Sequence, residues 1–202
     1  MKRAFHVCLA IGVATSLVSI RADEPAKKPT AEKVETKLAV GQQAPDFKIK
    51  DSTGKVINLA ELTEKGPVLV RLTCGCSGCD KELAYFQELH EAYKGKGLTS
   101  LAVFKEADAK VEEYVKQKGL NMLYAVDTKG ESWNVFQTKT MPTNSLIDRG
   151  GKITAIAAGC DTTGLLAKKL SEKTAGLVGA DSVDVKAKVE QKAKGAATPE
   201  KK

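Results

Sequence analysis

The chain has 202 residues, of which 28% are charged and 5% aromatic, and a formal net charge of +7 at pH 7. So few aromatics, with no basic stripe among them, argue against nucleic-acid binding. The length holds one domain of common size between two biased ends, and no internal repeat is present.

Residues 1–22 read "MKRAFHVCLAIGVATSLVSIRA". Lys2 and Arg3 form a positive start, Ala4 to Ile20 is apolar apart from His6 and a few hydroxyls, and Ala22 offers a small-residue cleavage point. That is the pattern of a secretory signal peptide. An uncleaved membrane anchor is the alternative, because the apolar stretch is near the ~17–25 residues a spanning helix needs. Cleavage removes Cys8. It also removes Lys2, Arg3 and Arg21, taking the charge from +7 to about +4, an ordinary solubility charge. Both versions export the remainder to a periplasmic or other extracytoplasmic space where disulfides persist. Cys74, Cys76, Cys79 and Cys160 are then the relevant thiols.

Residues 23–38, "DEPAKKPTAEKVETKL", read as a flexible linker. The folded domain is predicted over 39–177. Residues 178–202 are Lys- and Ala-rich with almost no apolar face. They are expected to start as a helix at most and to end as a disordered tail.

Within the domain, Phe47 to Ile49 and Val56 to Leu59 read as strands about a "DSTGK" turn. Pro67 to Leu72 is a short apolar run expected as a buried central strand. From about Cys79 the period changes, with Leu83, Phe86, Leu89 and Tyr93 at helical spacing and Gly95 and Gly97 as the stop. A strand over Leu98–Phe104, a helix in "ADAKVEEYVKQKG", a strand over Met122–Val126 and a short helix around Ser132–Phe136 follow. "SLID", "RGGK" and "ITAIAA" make a β-hairpin. "TTGLLAKKLSEKTAGL" is the closing helix, with Thr162 or Thr163 as N-cap. This order describes an α/β fold, a central mixed β-sheet with helices on both faces.

The chemistry concentrates at the end of the central strand, in "TCGCSGC". A helix start offers unpaired N–H groups and a partial positive charge, and both stabilise a thiolate. Only Cys76 and Cys79 have Cys-x-x-Cys spacing there. Cys76 is the predicted attacking thiolate, and Cys79, inside the first turn, the resolving thiol; turnover runs through a mixed disulfide. Far away in sequence, Met141-Pro142 precedes a strand. A proline there costs a ladder donor. Either a cis Met141–Pro142 bond, with the Met141 backbone beside the cysteines, or an ordinary trans proline at a strand start accounts for it.

The succession "GQQAPDF … DSTGKVINLAEL … GPVLVRL … CSGC … MPTNSLIDRGGKI" resembles the redoxin (AhpC/TSA-like) branch of the thioredoxin superfamily, most of all exported thiol–disulfide oxidoreductases of the TlpA/ResA type. The resemblance spans about residues 40–175. It implies a thioredoxin-like fold and a cis proline at Pro142 facing Cys76 and Cys79. It also implies a tuning carboxylate at Glu82, which base rates alone would read as solvated. Protein disulfides or dithiols are the implied substrates, with a redox-recycling partner, no cofactor, and a monomer. Three departures bear on redox potential and electron direction. Gly75 stands where members carry Trp, Ser77 and Gly78 separate the cysteines, and Arg71 lies near the place of a buried acid in thioredoxins proper.

Two other readings compete. Thr73 and Cys76 form a Thr-x-x-Cys that resembles the peroxidatic motif of peroxiredoxins, but Leu69 stands where that motif has Pro. Cys74, Cys76 and Cys79, with His90 or Cys160 as a fourth ligand, are soft donors suited to zinc or to copper(I), as in a chaperone. Cys74 is a possible third redox thiol, and Cys160 is either a buried free thiol or a disulfide partner of Cys74. Trp133, Phe136 and His90 read as packing and helix-surface residues.

Overall fold

The computed structural model describes residues 38–196. The leader and most of the linker lie outside the described residues. Among the described residues no helix is long and apolar enough to cross a membrane.

A short antiparallel hairpin comes first, β1 (Lys48–Lys50) and β2 (Val56–Asn58). The run that began at Val56 was expected to stay extended to Leu59. Instead Asn58 accepts a hydrogen bond from the Ala60 N–H and caps α1 (Leu59–Lys65), a helix the sequence reading left out. Then come β3 (Val68–Thr73), α2 (Ser77–Tyr93), β4 (Thr99–Phe104), α3 (Asp108–Lys118), β5 (Leu123–Val126), α4 (Glu131–Val135), β6 (Thr143–Ile147), β7 (Ile153–Ala158), α5 (Leu165–Val178) and α6 (Val185–Ala196).

The central sheet has the order β5-β4-β3-β6-β7. Strands β3, β4 and β5 are parallel; β6 and β7 are antiparallel to their neighbours. Every residue of β3 is buried, as a strand covered on both faces must be. Its alternate side chains divide two cores. Val68, Val70 and Leu72 join Phe47, Leu59, Trp133 and Phe136 on one face. Leu69 joins Phe86, Leu89 and Tyr93 of α2, Val111 of α3 and Leu170 of α5 on the other. Arg71, two residues on from Leu69, therefore points toward α2.

The tight "RGGK" turn is held by Asp148, whose carboxylate accepts from the N–H groups of Gly150 and Lys152, both at 2.8 Å. Gly151 takes the positive φ of 80° that the turn requires. The start of α5 differs from expectation. Thr162 and Thr163 do not cap it. Gly164 is the N-cap residue, and Asp161 accepts from the N–H groups of Leu166 and Thr163.

The C-terminal segment does start as a helix, over residues 185–196, and the end read as a disordered tail lies outside the described residues. Val185 is fully buried in the same core as α2 and α5. The Tyr93 hydroxyl accepts from the Val183 N–H, Ser171 donates to the Val183 carbonyl, and Asp184 caps the Ala187 N–H. Two apolar residues and a buried polar seam dock a helix whose own apolar face is too thin to announce the docking.

Candidate functional site

Strand β3 ends at Thr73, and the chain turns through Cys74 and Gly75 into α2. The helix begins two residues earlier than its apolar period suggested, because Ser77 and Gly78 carry no apolar signal. Cys76 is thereby the N-cap residue, in extended conformation (φ −72°, ψ 158°), and Cys79 sits in the first turn. The two cysteines have opposite surroundings. Cys76 is exposed, and Cys79 is 3% exposed.

Cys76 has a pKa below the ordinary cysteine range. Hydrogen bonding from the Cys74 thiol is the largest cause, followed by the Cys79 backbone N–H, the Cys79 thiol and the Gly78 N–H. No side-chain capping bond closes at the sulfur. The N–H groups act on it as the oriented dipoles of a helix start. Cys74 is half-buried, and burial first, then the neighbouring Cys76 thiol, pushes its pKa up.

Cys74 Sγ lies 3.3 Å from Cys79 Sγ, in hydrogen-bond contact. The sulfurs of Cys74, Cys76 and Cys79 all lie within 4.8 Å of one another, close enough to share one soft metal ion. The two proposed fourth ligands do not join them. His90 is buried in the last turns of α2, about 20 Å along the helix from Cys76 by helical rise. Cys160 is exposed rather than buried, and its thiol donates to the Gly78 carbonyl at 3.1 Å. All four cysteines among the described residues are free.

Beneath the thiols lies an ion pair that the sequence did not announce. Arg71 and Glu82, 2% and 1% exposed, meet at 2.8 Å. The Arg71 guanidinium also donates to Asn144 Oδ1 at 3.0 Å and to the Cys79 carbonyl at 3.3 Å, and it stacks 4.3 Å over the Phe86 ring. The second oxygen of Glu82 accepts from the Asp161 N–H. One buried network thus ties β3, the first turn of α2, β6 and the loop that carries Cys160. Glu82 is not the solvated carboxylate of base rate. Asn144 was missed entirely, and its position opposite Arg71 in the β3–β6 ladder is the signal that finds it.

The peptide bond between Met141 and Pro142 is cis. Leu72 pairs with Thr143, so Pro142 falls one step beyond the pairing, alongside Thr73 and the cysteine loop. The Thr73 hydroxyl donates to the Cys74 carbonyl and not to a cysteine sulfur. A Cβ added at Gly75 would stand 2.9 Å from Glu106 and 3.4 Å from Tyr114, so those side chains fill the space that a larger residue would use. Asp80, one residue after Cys79, is held by the Tyr114 hydroxyl at 3.1 Å and by Lys118 at 3.0 Å.

The model of the AhpC/TSA family matches residues 40–156. The chain belongs to the AhpC/TSA family. Among curated relatives, the thiol–disulfide oxidoreductase ResA of Bacillus thuringiensis subsp. konkukian is 37% identical over 120 residues, covering 59% of this chain and 69% of the relative. ResA of Bacillus subtilis is 28% identical over 130 residues, covering 64% and 73%. Among solved structures, one described as a thiol:disulfide interchange protein DsbE from Chlorobium tepidum superposes with a TM-score of 0.64 at 26% identity, covering 70% of this chain and 99% of that one. These neighbours share the thioredoxin-like fold. The family member described here is a thiol–disulfide oxidoreductase of the ResA and DsbE kind.

Proposed function

We propose that this protein is exported and exchanges disulfides with other proteins, with Cys76 as the attacking thiolate and Cys79 as the resolving thiol. The observation that carries the assignment is the contrast between the two cysteines: Cys76 is exposed at the N-cap of α2 with a lowered pKa, while Cys79 is buried in the first turn. Cys76 attacks a substrate disulfide, a mixed disulfide forms, and one substrate thiolate leaves. Cys79 then attacks the Cys76 sulfur, which releases the second substrate thiolate. A dithiol protein returns the site to its reduced form. Pro142 and Met141 form the wall beside the thiols, and Glu82 with Arg71 holds the first turn of α2 in place. Export rests on the charged and apolar N-terminal pattern together with four cysteines suited to a redox compartment.

The test is dithiothreitol-driven reduction of insulin by the mature protein. Cys76→Ser is expected to remove the activity; a Cys76→Ser protein that reduces insulin at the wild-type rate refutes the assignment. Copper(I) binding is the second reading that an observation favours, namely three sulfurs within 4.8 Å. Anaerobic titration with copper(I), followed by thiol counting, separates the two. Thiols protected by one tightly held ion favour the chaperone, whereas weak binding with rapid insulin turnover favours the oxidoreductase.

A further inference from the structure

The redox pair read above uses two of the three clustered thiols, and the third, Cys74, is also in contact with Cys79. Cys74 Sγ stands 3.3 Å from Cys79 Sγ, inside a cluster whose three sulfurs all lie within 4.8 Å of one another. Forming a disulfide there needs the two sulfurs to close from 3.3 Å to about 2.05 Å. We propose that the oxidised site stores its disulfide between Cys74 and Cys79, through an internal exchange that returns Cys76 as a free thiolate. The inference rests on the reading of Cys76 and Cys79 as the redox pair.

The step balances within the chain. Substrate turnover leaves a Cys76–Cys79 disulfide. Cys74 loses its proton to water, and its thiolate attacks Cys79 Sγ. The Cys74–Cys79 bond forms as the Cys76–Cys79 bond breaks, and the electron pair departs on Cys76. One disulfide replaces another, so the chain neither gains nor loses electrons. The two-electron oxidation is later reversed by the dithiol protein already invoked for recycling.

Burial sets the direction of this exchange. A disulfide is uncharged and loses little by being buried, and Cys79 is buried with Cys74 half-buried beside it. The thiolate needs water or N–H dipoles, and Cys76 alone among the three has both. The acidities agree: exchange runs toward the disulfide of the less acidic thiols and expels the more acidic one, here Cys76. The oxidised protein therefore keeps an exposed nucleophile while its oxidising equivalent sits inside, and substrate thiols reach that equivalent only through Cys76. Cys74 also gives a mixed disulfide at Cys76 a second resolving thiol.

The experiment locates the free thiol of the oxidised full-length chain. The protein is oxidised, quenched in acid, tagged with N-ethylmaleimide, reduced, tagged with iodoacetamide and digested with trypsin. Cleavage after Arg71 and Lys81 puts all three cysteines on the peptide of residues 72–81, where fragment ions place each tag. The expected result is maleimide on Cys76 with Cys74 and Cys79 protected. Maleimide on Cys74 means a Cys76–Cys79 disulfide and overturns the inference alone, leaving the functional reading in place. Maleimide on all three, or on none, overturns the inference too. As a second measurement, oxidised Cys76→Ser is expected to lose two thiols on that peptide, and retention of both overturns the inference. Cys74→Ser leaves only the Cys76–Cys79 disulfide, so its reduction potential should be less negative. A tenfold preference for the stored form converts to about 30 mV, and an unchanged potential contradicts it. Failure of the functional reading appears elsewhere, as insulin reduction by Cys76→Ser.

Discussion

Replacing Glu82 with Ala should destabilise the protein more than any exposed ion pair could. Arg71 is 2% exposed, so the variant leaves a guanidinium away from water with only Asn144 Oδ1, the Cys79 carbonyl and the Phe86 ring around it. Breaking a buried pair from one side costs about 3–5 kcal/mol, because the remaining charge stays desolvated. The Asp161 N–H also loses its acceptor. For a domain of this size the loss corresponds to a Tm lower by on the order of 10 °C. Urea unfolding, with an unchanged slope as the control, measures it. The same assay on Arg71→Met and on Arg71→Met/Glu82→Ala closes a double-mutant cycle. The double variant should cost less than the sum of the single ones by about 1–3 kcal/mol, since neither charge is then stranded. A Glu82→Ala cost below about 1 kcal/mol, or strictly additive singles, would refute the reasoning.

Three further outcomes follow from the same structure. Alkylation of Cys76 by iodoacetamide should rise with pH at a midpoint below the ~8.5 of a free cysteine, because the thiolate is the reacting form; a midpoint at or above that value contradicts the lowered pKa. His90 is held below its ordinary pKa by burial and by the positive charge of Lys94, so the unfolded chain takes up the proton first. Stability should therefore be full above ~6.5 and fall as pH drops from there to the folded pKa. His90→Leu should flatten that part of the urea-midpoint profile, and an identical slope in the variant would count against it. Val185→Ala removes two fully buried methyl groups from the seat of α6 and should cost about 1–2 kcal/mol, read in the same unfolding assay; a neutral result would mean that α6 does not dock on the core in solution.

Much of the architecture was legible because single elements carried their own signals. The run over Val68 to Leu72 is apolar on both faces, and Leu83, Phe86, Leu89 and Tyr93 keep a strict helical period. Apart from α1, the misses share a physical cause, which is that the deciding partner is distant in the chain. Helix α1 was hidden because Val56 to Leu59 is apolar whether extended or helical, and the side chain of Asn58 sets the boundary. The docking of helix α6 was hidden because it depends on Tyr93 and Ser171, far upstream. Arg71 stood out only as a departure near the place of a buried acid, and Glu82 was a solvated acid by base rate and a tuning carboxylate by resemblance. The pair exists only once the β3 pleat aims Arg71 at α2, and no spacing rule links positions in different elements. Cys-x-x-Cys spacing singled out Cys76 and Cys79, but the contact between Cys74 and Cys79 belongs to the fold of the loop.

The account turns on Cys76 being the sulfur that attacks. The direct measurement uses Cys74→Ser/Cys79→Ser, which removes both thiols able to resolve a mixed disulfide, incubated with a disulfide-bonded protein and mapped by mass spectrometry after a non-reducing digest. A covalent adduct through Cys76 is the predicted result. An adduct through Cys160, or none while the wild type still turns over insulin, would contradict it.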